Sequence, residues 1–179
     1  YIGFGAAFAT VAGASWPEGF ESLGKIAFGS AFTVGLMLVV LCGADLFTGN
    51  TMYLAISCLN GQAKWRQLGY NWLIVYIANF IGALLIVFII YHANFYGSDA
   101  ALSDIGIKAV AVAEKKLTLT WGQAFCRGIA CNWLVCLAIW MSYASKDVAG
   151  KILAIFFPIM AFVTCGFEHS IANMFFIPM

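Results

Sequence analysis

Cys42-Gly43-Ala44-Asp45-Leu46-Phe47-Thr48-Gly49-Asn50 and Cys165-Gly166-Phe167-Glu168-His169-Ser170-Ile171-Ala172-Asn173 share one pattern, C-G-x-acid-x-x-x-x-N, at an offset of 123 residues. Each copy interrupts a long apolar run with a glycine, an acid and an amide, which is how a broken transmembrane helix reads. Three apolar spans separate equivalent points of the two copies. That number is odd, so the copies must run in opposite directions through a membrane. The pattern therefore predicts an inverted repeat.

The rest of the chain fits a bilayer. Of its 179 residues 63% are hydrophobic and 9% charged, against about 25% charged in an ordinary soluble domain. Mean hydropathy is +0.92. The net charge of +1 offers no basic face to nucleic acid. Apolar stretches lie at 1–15, 24–43, 51–59, 68–93, 121–144, 152–165 and 171–179. A spanning helix needs about 20 such residues, and 24–43, 68–93 and 121–144 meet that length. The stretches 51–59 and 171–179 are too short to span alone and read as second half-helices. The chain begins at Tyr1 in an apolar stretch without a basic n-region, which is not a signal peptide, and it reads as a fragment at both ends. Carrying the offset forward, 68–93 should have a partner near 191–216, giving six spans in the intact protein. The expected organisation is a single all-α transmembrane domain over 1–179, with a first repeat at about 1–93 and a truncated second at about 121–179. The start of the first helix and all of the sixth are expected to be missing.

Charge placement orients the segment. Lys64 and Arg66 in 60–67, and Lys146 and Lys151 in 145–151, place those short loops on the cytoplasmic side. The stretch 94–120 reads as a long, balanced loop, with Asp99, Asp104 and Glu114 against Lys108, Lys115 and Lys116. Trp16, Trp65 and Trp121 fall where interfacial aromatics are expected. The six cysteines lie almost wholly in apolar runs. Cys126, Cys131 and Cys136 repeat every five residues, which turns each about 140° from the last on a helix. They share no face for a metal and read as packing residues.

Two symmetry-related breaks would meet near the membrane centre. Irregular backbone survives there only inside protein or beside water. Each second half-helix would point its positive N-terminal dipole inward, which favours a small anion or polar solute over a cation. Thr48 and Ser170 can donate hydrogen bonds to it, and Leu46 and Phe47 can narrow the path. His169 titrates near neutral pH; it is either a proton or hydrogen-bond donor to a passing anion, or a core histidine held by Glu168 or a carbonyl. Asp45 and Glu168 are expected to tie loop amides and helix ends together, since fixed negative charge would repel an anion. Asn50 and Asn173 read as caps of the second half-helices. Lys116 either draws anions toward the pore or is a solvated loop lysine. Asn132 either lines the pore or bonds across helices. Arg127 should snorkel outward, and His92 should be interfacial. Phosphate-loop, dinucleotide, nucleophile-elbow and metalloprotease motifs are absent from the sequence, so an enzyme is a poor reading. No cofactor is expected.

Gly43–Asn50, Gly166–Met174 and the run Cys131-Asn132-Trp133-Leu134-Val135-Cys136-Leu137-Ala138-Ile139-Trp140-Met141 resemble the formate/nitrite transporter family, most closely its formate channels. The resemblance covers the whole chain. It implies an aquaporin-like six-helix bundle with inverted three-helix repeats and two broken helices. It also implies a homopentamer with one pore per protomer, in the inner membrane of a bacterium or archaeon. Matching motif positions places Leu36, Leu46 and Phe47 at the cytoplasmic constriction, with Thr48 on the first loop. Phe32 and Phe162 fall at the outer constriction, flanking His169 and Asn132, and Lys116 falls on the family's vestibule lysine.

The implied mechanism concentrates a small monovalent weak-acid anion at Lys116 and the half-helix dipoles, then strips its water between apolar rings. The falling dielectric raises the acid's pKa, and a proton from or through His169 lets it cross as the neutral acid. The rival is a plain anion channel in which His169 only donates a hydrogen bond. Asp45 and Met141-Ser142-Tyr143 rank formate first, ahead of nitrite and hydrosulfide. A neutral-solute pore of the water/glycerol type also uses two half-helices, but its paired Asn-Pro-Ala loops are not in this sequence.

Overall fold

A computed structural model describes residues 1–98 and 101–179. Its elements in chain order are α1 (Ile2–Ala12), α2 (Glu21–Leu41), α3 (Phe47–Leu59), α4 (Trp65–His92), β1 (Gly97–Ser98), β2 (Ala101–Leu102), α5 (Asp104–Leu117), α6 (Trp121–Ala144), α7 (Val148–Thr164) and α8 (Ser170–Phe176). The two strands form one short antiparallel hairpin with Gly97 opposite Leu102. Among the described residues everything else regular is helical. Helices α2, α4 and α6 are long and apolar enough to cross a membrane, in agreement with the three long runs of the sequence.

The repeat is visible at the level of single backbone bonds. Helix α2 ends at Leu41 and α7 at Thr164; α3 begins at Phe47 and α8 at Ser170. Both pairs keep the offset of the sequence motif. Beyond each helix end the chain turns left-handed at a glycine, Gly43 at φ 69° and Gly166 at φ 72°. A side chain at either position would strain the backbone. The following amide then closes a six-residue loop: Ala44 N–H donates to the Val39 carbonyl at 2.9 Å, and Phe167 N–H to Phe162 at 3.0 Å. Both are Schellman turns. They stop the first half-helix and let an extended residue, Leu46 or His169, lead into the second.

The stretch 94–120 is not the long loop expected, because residues 104–117 form helix α5. Ile105, Ala109 and Val112 recur at helical spacing and pack on the core. The Ser103 side chain caps the first turn by accepting from Gly106 N–H at 3.2 Å. Asp104 begins the helix and Lys115 and Lys116 end it, each complementing the dipole. Asp99, counted in that loop's charge, lies outside the described residues.

Helix α1 crosses α2 at backbone contact. A Cβ added to Gly5 would stand 2.5 Å from Gly35 N and 2.8 Å from the Phe32 carbonyl. This close crossing fixes α2, whose inner face carries Phe32 and Leu36 into the centre. The core there is apolar and largely aromatic: Phe32, Leu36, Phe162 and Phe175 are all at most 2% exposed. By contrast, α4 turns Leu73, Ile77, Phe80, Ile81 and Phe88 outward. An apolar face of that extent in a helix of this length suits lipid or further protein.

Candidate functional site

The two breaks meet across the centre. His169 and Leu46 occupy equivalent positions of the repeat, each the extended residue before a half-helix. His169 Nδ1 accepts from Ala172 N–H at 3.1 Å, so the imidazole side chain caps α8. Its Nε2 lies 3.1 Å from Thr48 Oγ1 on α3. A ring nitrogen that accepts a backbone N–H carries no hydrogen, so the neutral ring has its proton on Nε2. Nε2–H then donates to Thr48 Oγ1 and leaves the Thr48 hydroxyl hydrogen free to donate elsewhere. His169 and Thr48 are 4% and 5% exposed. This donor pair joins the two half-helices.

Asn132 belongs to the same polar thread. Its Nδ2 donates to Thr51 Oγ1 at 3.3 Å, and Thr51 Oγ1 donates to the Thr48 carbonyl at 2.8 Å. Asn132 Oδ1 is buried without a partner. An unsatisfied buried carbonyl invites a donor.

A cavity lies on either side of this centre. One, of about 370 Å³, is lined by His169, Phe32, Phe162 and Phe176, and by Lys25, Lys108, Lys115, Lys116 and Arg127, with Glu168 the one acid among its described residues. The other, of about 340 Å³, is lined by Leu46, Asp45, Asn50, Tyr53, Tyr143 and Lys151. Leu36, Thr48 and Asn132 line neither cavity. The lysine-rich side ends on aromatic rings, with Phe32 edge-on to Phe162 at 6.0 Å and Phe162 stacked on His169 at 5.9 Å.

The acids are held by the amides five residues on. Asn50 Nδ2 donates to Asp45 Oδ1 at 3.0 Å, and Asn173 Nδ2 to Glu168 Oε2 at 2.8 Å. Neither asparagine is a helix cap as expected, since both lie inside the half-helices and Leu46 and His169 hold the cap positions. Glu168 Oε2 also accepts from Lys116 Nζ at 2.8 Å, and that ammonium sits 5.3 Å from the centre of the Phe176 ring. Lys116 is thus a compensated charge, and among the described residues the remaining cations of this cavity have no ion pair. Lys108 lies below the ordinary lysine value, first because it is partly buried and then because Lys115 and Lys25 repel its charge.

Several placements depart from the sequence reading. Phe47 turns its ring onto α4, edge-on to Tyr76 at 5.0 Å and Trp72 at 6.2 Å, and lines neither cavity. Ser170, its repeat equivalent, is exposed and lines neither. In both breaks this position follows the extended residue and faces away from the centre. Arg127 does not snorkel outward: it donates to the Gly166 carbonyl at 3.4 Å and lines the lysine-rich cavity. Sequence reasoning passed over Asn71, Trp72 and Asn79 on α4. Asn71 Oδ1 accepts from Asn50 Nδ2 at 3.0 Å, and Trp72 Nε1 donates to the Asn50 carbonyl at 3.4 Å. Asn79 holds the backbone on both sides of Leu46. Amides at positions 71 and 79 of a 28-residue apolar helix were the available signal. Among the described residues no group of three His, Cys, Asp or Glu could hold a metal.

Two broken helices meeting head to head between two cavities define a multi-pass membrane protein built on an inverted repeat. The family model for formate/nitrite transporters matches residues 1–179, and the chain belongs to that family. It is 45% identical to a probable formate transporter of Methanothermobacter thermautotrophicus, over 99% of this chain and 70% of that protein. It is 42% identical to the formate channel FocA of Escherichia coli, over 88% of this chain and 54% of that protein. The chain therefore spans between about half and seven tenths of these relatives' length. The solved structure of a pentameric formate channel with formate bound matches at a TM-score of 0.89 and 35% identity, over 99% of this chain and 68% of that one.

Proposed function

We propose that the chain forms the pore of a channel or transporter for small monovalent weak-acid anions, with formate as its substrate, and that it is not an enzyme. The single observation that carries this reading is the His169–Thr48 pair, two donors buried between two cavities and framed by apolar rings. An anion that gives up its water between Phe32, Phe162 and Leu46 needs hydrogen bonds in return, because a bare charge is costly in a dry passage. The Thr48 hydroxyl hydrogen, left free by the bond from Nε2–H, supplies one, and Nε2–H supplies a second when it turns from Thr48 to the anion; neither group carries a fixed negative charge. The four cations other than Lys116 around the larger cavity would raise the local anion concentration on that side.

This cavity is the outer vestibule and the Tyr53–Tyr143 cavity the inner one, in keeping with the positive short loops. The protein works as a homopentamer in the cytoplasmic membrane of a bacterium or archaeon, and the pentameric neighbour supports that assembly. Residues 1–179 act as one transmembrane domain, with repeats at about 1–93 and 121–179. The names of the relatives support formate over nitrite and hydrosulfide.

His169 acts chiefly as a hydrogen-bond donor. To take a second proton, its ring would have to release the bond from Ala172 N–H. Proton transfer to the substrate is therefore tied to opening the cap of α8.

Formate flux into proteoliposomes holding the full-length protein, with nitrite, hydrosulfide and glycerol in parallel, tests the reading. Formate passage with glycerol excluded is expected. Glycerol passage, or passage of nothing, would overturn it.

A further inference from the structure

We infer that Asn79, in the middle of α4, positions the inner constriction and sets the size of anion that passes it. The inference rests on the pore reading above. Asn79 Oδ1 accepts from Phe47 N–H at 3.0 Å, and Asn79 Nδ2 donates to the Asp45 carbonyl at 3.1 Å. Residues 45 and 47 flank Leu46, whose backbone is extended at φ −120° and ψ 124°. In an extended chain, the carbonyl of one residue and the amide two positions on project to the same side. One primary amide therefore takes the place of a neighbouring strand and holds both at once.

The repeat explains why this clamp is needed. At the equivalent position of the second break, His169 satisfies the first turn of its half-helix with its own side chain. Leu46 has no polar atom and makes no side-chain cap. Its place in the wall of the inner cavity, at 4% exposure, suits an apolar group that dehydrates the passing ion. An apolar residue there leaves the start of α3 short of an acceptor, and Asn79 supplies one from the neighbouring helix. The same hold turns the Phe47 ring onto Tyr76 and Trp72, also of α4. The width beside Leu46 is thus fixed by the spacing of α3 from α4 rather than by contacts within the break. Asn79 touches no substrate. It is a positioning residue.

The test compares formate and acetate flux through the full-length pentamer in proteoliposomes for wild type, Asn79→Leu and Asn79→Gln. Leucine fills the space but holds neither backbone group. Glutamine keeps both groups on a longer arm. Asn79→Leu should lower the formate-to-acetate ratio about fivefold or more, the equivalent of one net hydrogen bond, and Asn79→Gln should recover most of that ratio. A packing role would leave the ratio of Asn79→Leu at the wild-type value, and that result would overturn the inference, as would glutamine doing no better than leucine. Should Asn79→Leu fail to assemble, Asn79→Ser gives the same reading, since its hydroxyl is too short to reach both groups. Absence of formate flux in the wild type would instead refute the pore reading, so the two failures are distinct.

Discussion

His169→Asn separates the two jobs that one imidazole performs. Asparagine is among the best N-cap residues, and its Oδ1 can accept from Ala172 N–H as Nδ1 does now at 3.1 Å. The fold of α8 should therefore survive, with stability changed by about 0.5 kcal/mol or less. The amide is too short to span from that cap to Thr48 Oγ1, which stands 3.1 Å beyond the far side of the ring. The substitution thus deletes the Nε2–H donor alone. A hydrogen bond to a charged group contributes about 1.5–3 kcal/mol, so formate flux should fall by roughly 10- to 150-fold. His169→Ala should show the same flux loss and, in addition, lose about 1 kcal/mol of stability with the cap. The assay is initial formate uptake into proteoliposomes across a pH series, beside the thermal midpoint of the purified protein. His169→Asn should also flatten the pH profile. Flux within twofold of wild type and an unaltered profile would refute the assignment of the donor pair.

Three other expectations follow from single contacts. Glu168→Ala strips Lys116 and Asn173 of a shared acceptor and should cost about 1.5–3 kcal/mol, as for a half-buried hydrogen bond to a charged group; adding Lys116→Met should recover part of that loss in a denaturation series. Gly5→Ala drives a methyl into the backbone of Gly35 and Phe32, so the thermal midpoint should drop by the equivalent of about 1–3 kcal/mol, while Gly122→Ala, with open space around it, should leave it unchanged. Lys108 titrates below the usual 10.5, so a rising pH removes its charge before that of an ordinary lysine. Capture of external formate should therefore weaken on the alkaline side at lower pH than for Lys108→Arg, which stays charged, and coincident alkaline limbs would count against the outer-vestibule reading.

Much of the fold lay in the chain's periodicities. The 123-residue offset of the two motifs returns in the ends of α2 and α7, in the starts of α3 and α8, and in the glycines at φ 69° and 72°. A glycine that must turn left-handed and an apolar run that must span are local demands, so they are written locally. Helix α5 was legible too, from the Ser103-Asp104 start and the spacing of Ile105, Ala109 and Val112, but its share of polar residues hid it among loop signals. The site was less open to reading. Asn50 and Asn173 have the composition of caps, yet bind the acids five residues earlier. Phe47 and Ser170 have the chemistry for a pore, yet the direction of the chain after each extended residue turns them away from both cavities.

What the sequence by itself determined is the medium, the number and length of the spans described, and the positions of the two breaks. Hydropathy and backbone demands act over a few residues, and the pattern of residues along the chain is enough to express them. What only the tertiary structure decided is which groups share the centre. Thr48 meets His169 across 121 residues of chain, Lys116 meets Glu168 across 52, and Asn79 meets Phe47 across 32. Those pairings depend on the angles at which helices cross and on how closely glycines let them approach. That geometry belongs to the packed bundle as a whole, and no stretch of sequence carries it.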